Sequence, residues 1–173
     1  DRMLTTLRAD PDVASATARL YAPALAAREE EGFAVVVVGL DPRFESGPAR
    51  LLSEVTTPLD PDMVFVSQHL AETMHLRAGD TVAIVGQGVD GSLANDLFRV
   101  QLLVSTSVDL INRQGIIMAL DRAQTLFAMP NEAHEVVIHA RHPDNASALA
   151  ARLSTTAGLT GAEVLDWRAL APD

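Results

Sequence analysis

One glycine-rich string has the spacing of a phosphate-binding loop. Residues 86–91, Gly-Gln-Gly-Val-Asp-Gly, match the G-x-G-x-x-G pattern that holds a dinucleotide pyrophosphate, and they follow a predicted strand. That chemistry needs a helix beginning at the third glycine, so that its first amide groups face the phosphates. Here Asp90 would set a carboxylate beside the pyrophosphate, and the residues from Leu97 onward have the pattern of a strand. The sequence therefore favours an exposed hairpin, and we predict no cofactor.

The other polar side chains form no pattern typical of a metal or catalytic site. Asp90, Asn95 and Asp96 lack the spacing of a calcium-binding loop and are better explained as turn and capping residues. His69 and His75 share a predicted helix, but a separation of six residues does not place them on one face. No serine lies in a G-x-S-x-G motif, and the chain has no cysteine. We predict no catalytic residue, no metal site and no enzymatic activity.

The charge and hydropathy of the chain exclude several classes of partner. Its 173 residues contain 23 Asp plus Glu against 13 basic residues, all Arg, for a formal net charge of −10. Such a chain is not expected to bind nucleic acid or an anionic membrane surface as its main partner. No apolar run approaches the roughly 18 residues that cross a bilayer. The chain begins at Asp1 rather than Met, as we expect for a piece of a longer protein.

The elements that carry these residues are predicted from periodicity. Apolar residues occupy the even positions from 14 to 26, which indicates a strand, and residues 33–39 form a β-branched run of the kind found in buried strands. We expect these two strands to form a hairpin. Before and after it the patterns predict, in chain order, a short helix at 3–7, a loop with a short helix at 41–55, a strand at 62–66, a helix capped by Ser67, and strands at 81–85 and 97–104.

The last third of the chain alternates strands and helices. The predicted order is a strand at 116–120, a helix at 121–128 capped by Asp121, a strand at 135–140, a helix at 145–156 and a strand at 163–167. This order predicts an α+β fold whose main lobe is a ferredoxin-like, or porter-like, sandwich built from both chain ends, residues 1–58 and 108–173. Residues 59–107 would form a smaller inserted lobe. In that arrangement the strand Phe33–Leu40 pairs with a strand of the last third.

The connection between the strands at 81–85 and 97–104 is the candidate contact region. We predict that this hairpin, residues 86–96, is exposed, mobile and dispensable for folding, because a buried connection of that length would need many internal backbone partners. Leu93 is the expected anchor for a partner, since an isolated apolar side chain in a polar turn adds little to the core. The candidate partner-contact residues are Gly86, Gln87, Asp90, Leu93, Asn95 and Asp96.

Five strings resemble those of one family in the same order along the chain, and the resemblance covers nearly the whole sequence; they are residues 11–13, 38–42, 64–71, 76–82 and 164–170. The chain resembles the MacB-like periplasmic core domain of FtsX-type ABC transporter permeases, a group that includes lipoprotein-releasing and efflux members. Residues 86–98 and 121–124 are similar to further strings in such permeases. Where many members have Val-Gly-Ile, this chain has Val100-Gln101-Leu102.

The resemblance implies a noncatalytic domain on the periplasmic or extracytoplasmic face of a bacterial inner membrane. It would couple ATP-driven motion of membrane helices to the handling of substrate or of a periplasmic partner. The implied partners are a cytoplasmic ATPase, a second permease subunit, and a periplasmic protein or a lipoprotein or lipid cargo. Two alternatives stay open: a soluble enzyme that uses the Gly86–Gly91 loop for a nucleotide cofactor, and a ligand-sensing ectodomain with an enclosed apolar pocket.

Overall fold

The computed structural model describes residues 2–47, 49–52, 55, 57–156 and 162–170. The chain divides into two units, one from residues 1–16 with 137–173 and the other from residues 17–136. Short 3-10 turns occur at Pro42–Phe44 and Pro143–Asn145. The helices and strands, in chain order, are α1 (Arg2–Arg8), β1 (Val13–Arg28), β2 (Glu31–Leu40), β3 (Met63–Ser67), α2 (Gln68–Thr73), β4 (Thr81–Gln87), β5 (Leu93–Val104), α3 (Asp109–Gln114), β6 (Gly115–Ala119), α4 (Leu120–Leu126), β7 (Glu135–Ala140), α5 (Ala146–Ser154) and α6 (Trp167–Leu170).

In the unit of residues 17–136, six strands form a closed ring. The hydrogen-bonded order is β2-β6-β3-β5-β4-β1, and β1 also pairs with β2. Strands β1 and β2 form the predicted antiparallel hairpin, with Leu20 opposite Gly39. Strand β6 lies between β2, to which it is parallel, and β3, to which it is antiparallel. The predicted pairing of Phe33–Leu40 with a strand of the last third is therefore present.

The ring has apolar side chains on both faces. The larger core cluster includes Leu20 from β1, Phe98 from β5 and Phe127 after α4, all buried. A second cluster joins Phe65 and Ile117 to Leu51 from the segment after β2. Helix α4 packs closely against β2: a Cβ atom placed on Gly39 would lie only 2.5 Å from the Cβ of Ala123. Burial on both sides explains the continuous β-branched composition of β2.

The unit of residues 1–16 and 137–173 is held by arginine contacts. Arg152 of α5 donates to both carboxylate oxygens of Asp10, at 2.6 and 3.0 Å, and to Asp12 at 2.9 Å. The backbone N–H of Arg141 donates to the carbonyl of Asp12 at 2.8 Å, and its side chain donates to the carbonyls of Pro11 and Val13. These contacts tie the start of β1 to the segment after β7.

The mixed α+β prediction is confirmed, whereas the ferredoxin-like arrangement and the lobes 1–58 with 108–173 and 59–107 stay predictions. The strand predicted at 163–167 is wrong. Asp166 accepts the backbone N–H of Ala169 through its carboxylate at 3.0 Å, and α6 begins at Trp167. An aspartate that accepts an amide two or three residues later is a typical helix cap, so the chain turns there instead of extending.

Two smaller predictions also differ from the structure, and one helix was not predicted. Helix α4 begins at Leu120 with Ala119 as its cap residue, while the carboxylate of Asp121 accepts the neighbouring N–H of Arg122. The hydroxyl of Ser67 makes no capping bond and lies buried without a hydrogen-bond partner. Helix α3 was not predicted, because Asp109–Gln114 is too short for a helical period to show.

Candidate functional site: the β4–β5 hairpin and its apolar face

The predicted contact region is a β-hairpin with a tight tip. Gln87 pairs with Leu93, so β4 and β5 extend further into residues 86–96 than the sequence predicts. At the tip the N–H of Gly88 donates to the carbonyl of Ser92 at 2.9 Å, and the carboxylate of Asp90 accepts the N–H of Ser92 at 2.9 Å. Bonding to Ser92 holds the pKa of Asp90 below its ordinary value. Gly91 has a φ of 84°, which favours glycine.

The glycines before the tip serve close packing. A Cβ atom at Gly86 would lie 2.9 Å from the ring of Phe127, and one at Gly88 would lie 3.2 Å from the Cβ of Ala128. The N–H of Val89 donates to the carbonyl of Phe127 at 3.0 Å, which anchors the tip to the end of α4. Strand β5 begins two residues after Gly91, where a dinucleotide fingerprint requires a helix. The G-x-G-x-x-G string is thus explained by a hairpin docked on a helix.

The hairpin divides the predicted contact residues between its two faces. Paired residues of neighbouring strands point to the same face, and this places Gln87, Leu93 and Asn95 together. Asp90 lies beside them at the tip. Gly86 and Asp96 lie on the opposite face, towards α4, where the carboxylate of Asp96 forms an ion pair with Arg122. The N–H of Leu97, followed by Arg122, holds the pKa of Asp96 below its ordinary value.

An exposed apolar surface continues from the hairpin onto β1. Leu25 pairs with Val85, Ala27 pairs with Ala83, and Ala83 pairs with Leu97, so their side chains lie on the face that carries Leu93. We call the surface formed by these six residues the apolar face. Leu93 is 75% exposed, Leu97 65% and Leu25 51%. Exposed clusters of this kind mark interaction sites in soluble domains more often than isolated apolar residues do.

Charged residues border the apolar face at both ends. Glu29 and Glu30 form the turn after β1, beyond Ala27, and both are exposed, whereas Glu31 begins β2 opposite Arg28 and its side chain lies on the other face. Asp90 lies at the hairpin tip, beyond Leu93. We call Glu29, Glu30 and Asp90 the acidic rim. Arg99 is the exposed basic residue that follows Leu97 on the same face of β5.

A second polar cluster lies in the same unit and was not predicted from the sequence. The guanidinium of Arg19 donates to both carboxylate oxygens of Glu45, at 2.9 and 2.8 Å, and to the carbonyl of Ala49 at 2.7 Å. Glu45 also accepts the N–H of Leu51 at 2.8 Å. Desolvation opposes the charge of Arg19, but bonding and attraction to Glu45 outweigh it and raise its pKa. This buried ion pair fixes the segment after β2 onto β1.

Tyr21 extends this cluster towards the surface. Its hydroxyl donates to Glu135 at 2.6 Å, and Arg19 contacts the same carboxylate at 3.2 Å. Burial, and then the bond to Glu135, raise the pKa of Tyr21 to about 12. The N–H of Tyr21 donates to Nδ1 of His134 at 3.0 Å. Every member of the cluster already has a partner within it, so the arrangement is that of a structural brace.

Within the described ranges, no group of three or more His, Cys, Asp or Glu side chains is placed to hold a metal ion. In the same part of the chain, no helix has the length and apolar character needed to cross a membrane.

Solved structures with the same architecture exist, although no family model and no curated protein matches the sequence. The periplasmic region of MacB from Actinobacillus actinomycetemcomitans aligns with 87% of this chain and 71% of its own, at a TM-score of 0.61 and 11% identity. The chain is similar in fold to the MacB periplasmic region. The extracellular domain of the noncanonic ABC-type transporter YknZ from Gram-positive bacteria covers 88% of this chain and 80% of its own, at a TM-score of 0.64 and 16% identity. The MacB-like fold expected from the sequence strings is thus present.

Proposed function

We propose that this chain is a noncatalytic extracytoplasmic domain of an ABC transporter permease. The observation that carries the proposal is the MacB-like fold, shared with MacB and YknZ over most of each chain. In this role the domain couples ATP-driven motion of membrane helices to the handling of a substrate or periplasmic partner, of lipoprotein-release or efflux type. Its proposed partners are a cytoplasmic ATPase and a second permease subunit, reached through membrane segments of the full protein, and a periplasmic protein or a lipoprotein or lipid cargo.

We also propose that the β4–β5 hairpin contacts that partner or cargo. Gln87, Leu93 and Asn95, with Asp90 at the tip, present one exposed surface. Gly86 and Asp96 support it from the opposite face, through the contacts with Phe127 and Arg122. The hairpin thus combines a backbone anchored to α4 with exposed apolar side chains, as a contact site requires.

The side of the membrane is tested by labelling one introduced cysteine. The chain contains no cysteine, so Val89→Cys at the exposed hairpin tip gives it one reactive thiol. In intact cells that express the full permease, a membrane-impermeant maleimide should label this variant as strongly as it does after permeabilisation. The full protein without the substitution provides the control for other thiols. Labelling only after permeabilisation would refute the extracytoplasmic assignment.

Coupling is tested on the purified permease with its ATPase in lipid nanodiscs. Leu93→Ser should lower transport while leaving the basal rate of ATP hydrolysis within about twofold, because the hairpin is proposed to contact cargo rather than nucleotide. Leu110→Ser removes an exposed leucine of α3 and is the matched control. Equal transport by Leu93→Ser and by the control would remove the hairpin from the mechanism.

A further inference from the structure

We infer that the apolar face binds an amphipathic helix of a protein partner whose flanks carry Arg or Lys. The inference rests on the proposed function, since it specifies the partner for the surface that includes Leu93. Among the described residues, nine large hydrophobic side chains are exposed, and four of them, Leu25, Val89, Leu93 and Leu97, belong to this face or to the adjoining tip. Such a concentration of exposed apolar side chains in one place indicates a surface that a binding partner covers.

The dimensions of the apolar face suit a helix. It crosses three adjacent strands, β1, β4 and β5, whose axes are about 4.8 Å apart, so its width is about 10 Å between the outer strands. From Leu93 to Leu97, with Asn95 between them, the face extends along β5 for about 14 Å at the usual strand rise. A helix about 10 Å in diameter would therefore cover it with two to three turns, roughly 5.4 Å each. Packing a helix on a sheet face is the ordinary way in which such a face is buried.

The charges around the apolar face select the partner. Glu29 and Glu30 border one end and Asp90 borders the other, against a single exposed arginine, Arg99, on the same face. Bonding to Ser92 holds the pKa of Asp90 low, so the carboxylate is charged at neutral pH. An anionic lipid surface or a second copy of this chain, with its own charge of −10, would meet repulsion there. A helix flanked by cations would meet attraction.

The test uses two synthetic helical peptides of about 20 residues. Both carry the same leucine stripe, and they differ only in having Arg or Glu at the flanking positions. In titration calorimetry with this chain the Arg peptide should bind in the micromolar range, and the Glu peptide should bind at least about tenfold more weakly. Affinity for the Arg peptide should fall with added salt, because rim charges are screened by ions. Equal binding of the two peptides would overturn the proposed charge selection.

Variants separate the apolar face from the rim. The double variant Leu25→Ser with Leu97→Ser should bind the Arg peptide about tenfold or more weakly, since truncation of central apolar contacts has the largest effect on binding. Glu29→Gln and Glu30→Gln together should remove most of the salt dependence. Val108→Ser, which changes an exposed valine before α3, should leave binding unchanged. Binding insensitive to the two leucines would overturn the inference.

Two measurements test whether the apolar face is occupied by something other than a helix of a protein partner. Sedimentation velocity that shows a dimer abolished by Leu97→Ser would assign the apolar face to a second copy. Flotation with phosphatidylglycerol-containing vesicles, lost in the same variant, would assign it to lipid. Either result would overturn the inference while leaving the extracytoplasmic assignment intact, because maleimide labelling of Val89→Cys decides that assignment independently.

Discussion

Removal of the Glu45 carboxylate should destabilise the chain more than any comparable change of a surface acid. The Glu45 side chain is 2% exposed and the Arg19 side chain 8%. Glu45→Ala leaves the buried guanidinium with Glu135 and one carbonyl, and it also removes the acceptor of the Leu51 N–H. Breaking a buried ion pair by deleting one partner costs about 3–5 kcal/mol. For a chain of this size that corresponds to a fall in melting temperature of roughly 6–20 °C.

The assay is thermal and urea unfolding followed by far-ultraviolet circular dichroism. Glu135→Ala is the matched control, since Glu135 contacts the same arginine but is 43% exposed, and its removal should cost about 1 kcal/mol or less. Glu45→Gln keeps an acceptor for Leu51 and should give an intermediate loss. Replacing Arg19 and Glu45 together by Met and Leu should recover much of the stability, because no buried charge then lacks its partner. A loss for Glu45→Ala no larger than that for Glu135→Ala would refute this reasoning.

Further expectations concern other parts of the chain. Tyr21 is the only tyrosine, so absorbance at 295 nm should show one tyrosinate titration near pH 12, and Glu135→Gln should lower its midpoint. Because folding raises the pKa of Tyr21, the stability contributed by its protonated hydroxyl is complete below about pH 10 and is lost as the pH rises towards 12. Gly39→Ala should cost about 1–3 kcal/mol in urea unfolding, because its Cβ would clash with Ala123, and an unchanged midpoint would contradict the packing of α4 on β2. Leu93→Ser should leave the melting temperature nearly unchanged, whereas a fall of several degrees would place Leu93 in the core. Calorimetric titration with NAD, NADP and ATP should show no micromolar binding, and a positive result would favour the cofactor-binding alternative.

The strands with strong periodicity were predictable from the sequence, whereas the neighbouring strands with which they pair were less predictable. Alternation in β1 and the β-branched run in β2 are local signals that identify strands directly. The pairing of β2 with a strand of the last third was predicted from the order of elements, but the pairing of that strand, β6, with β3 depends on contacts between segments distant in sequence, which no local pattern encodes. The extension of β5 back to Leu93 was missed because Asn95 and Asp96 are uncommon in strands and resemble a turn.

The candidate site was only partly predictable for a related reason. The sequence identifies Leu93 as exposed, but its neighbours Leu25 and Leu97 meet it only through the register of three strands. One signal was available: Leu25 is a large apolar residue at an odd position of β1, whereas the odd positions from 15 to 21 are polar and the even positions are apolar. The same reasoning applies to Arg19, a charged residue at an odd position of β1, which Glu45 and the segment after β2 bury.

Closure of the six-strand ring has a consequence for the order in which this chain can fold. Strand β6 completes the ring between β2 and β3, and it lies more than 45 residues after the end of β3 in the sequence. Until residue 119 is available, β2 and β3 each have an edge without its native neighbour, and such edges favour pairing with other chains. Contacts this distant in sequence also slow the formation of the folding nucleus. We therefore expect fragments that end before Ala119 to aggregate, and folding to be rapid only once β6 is present.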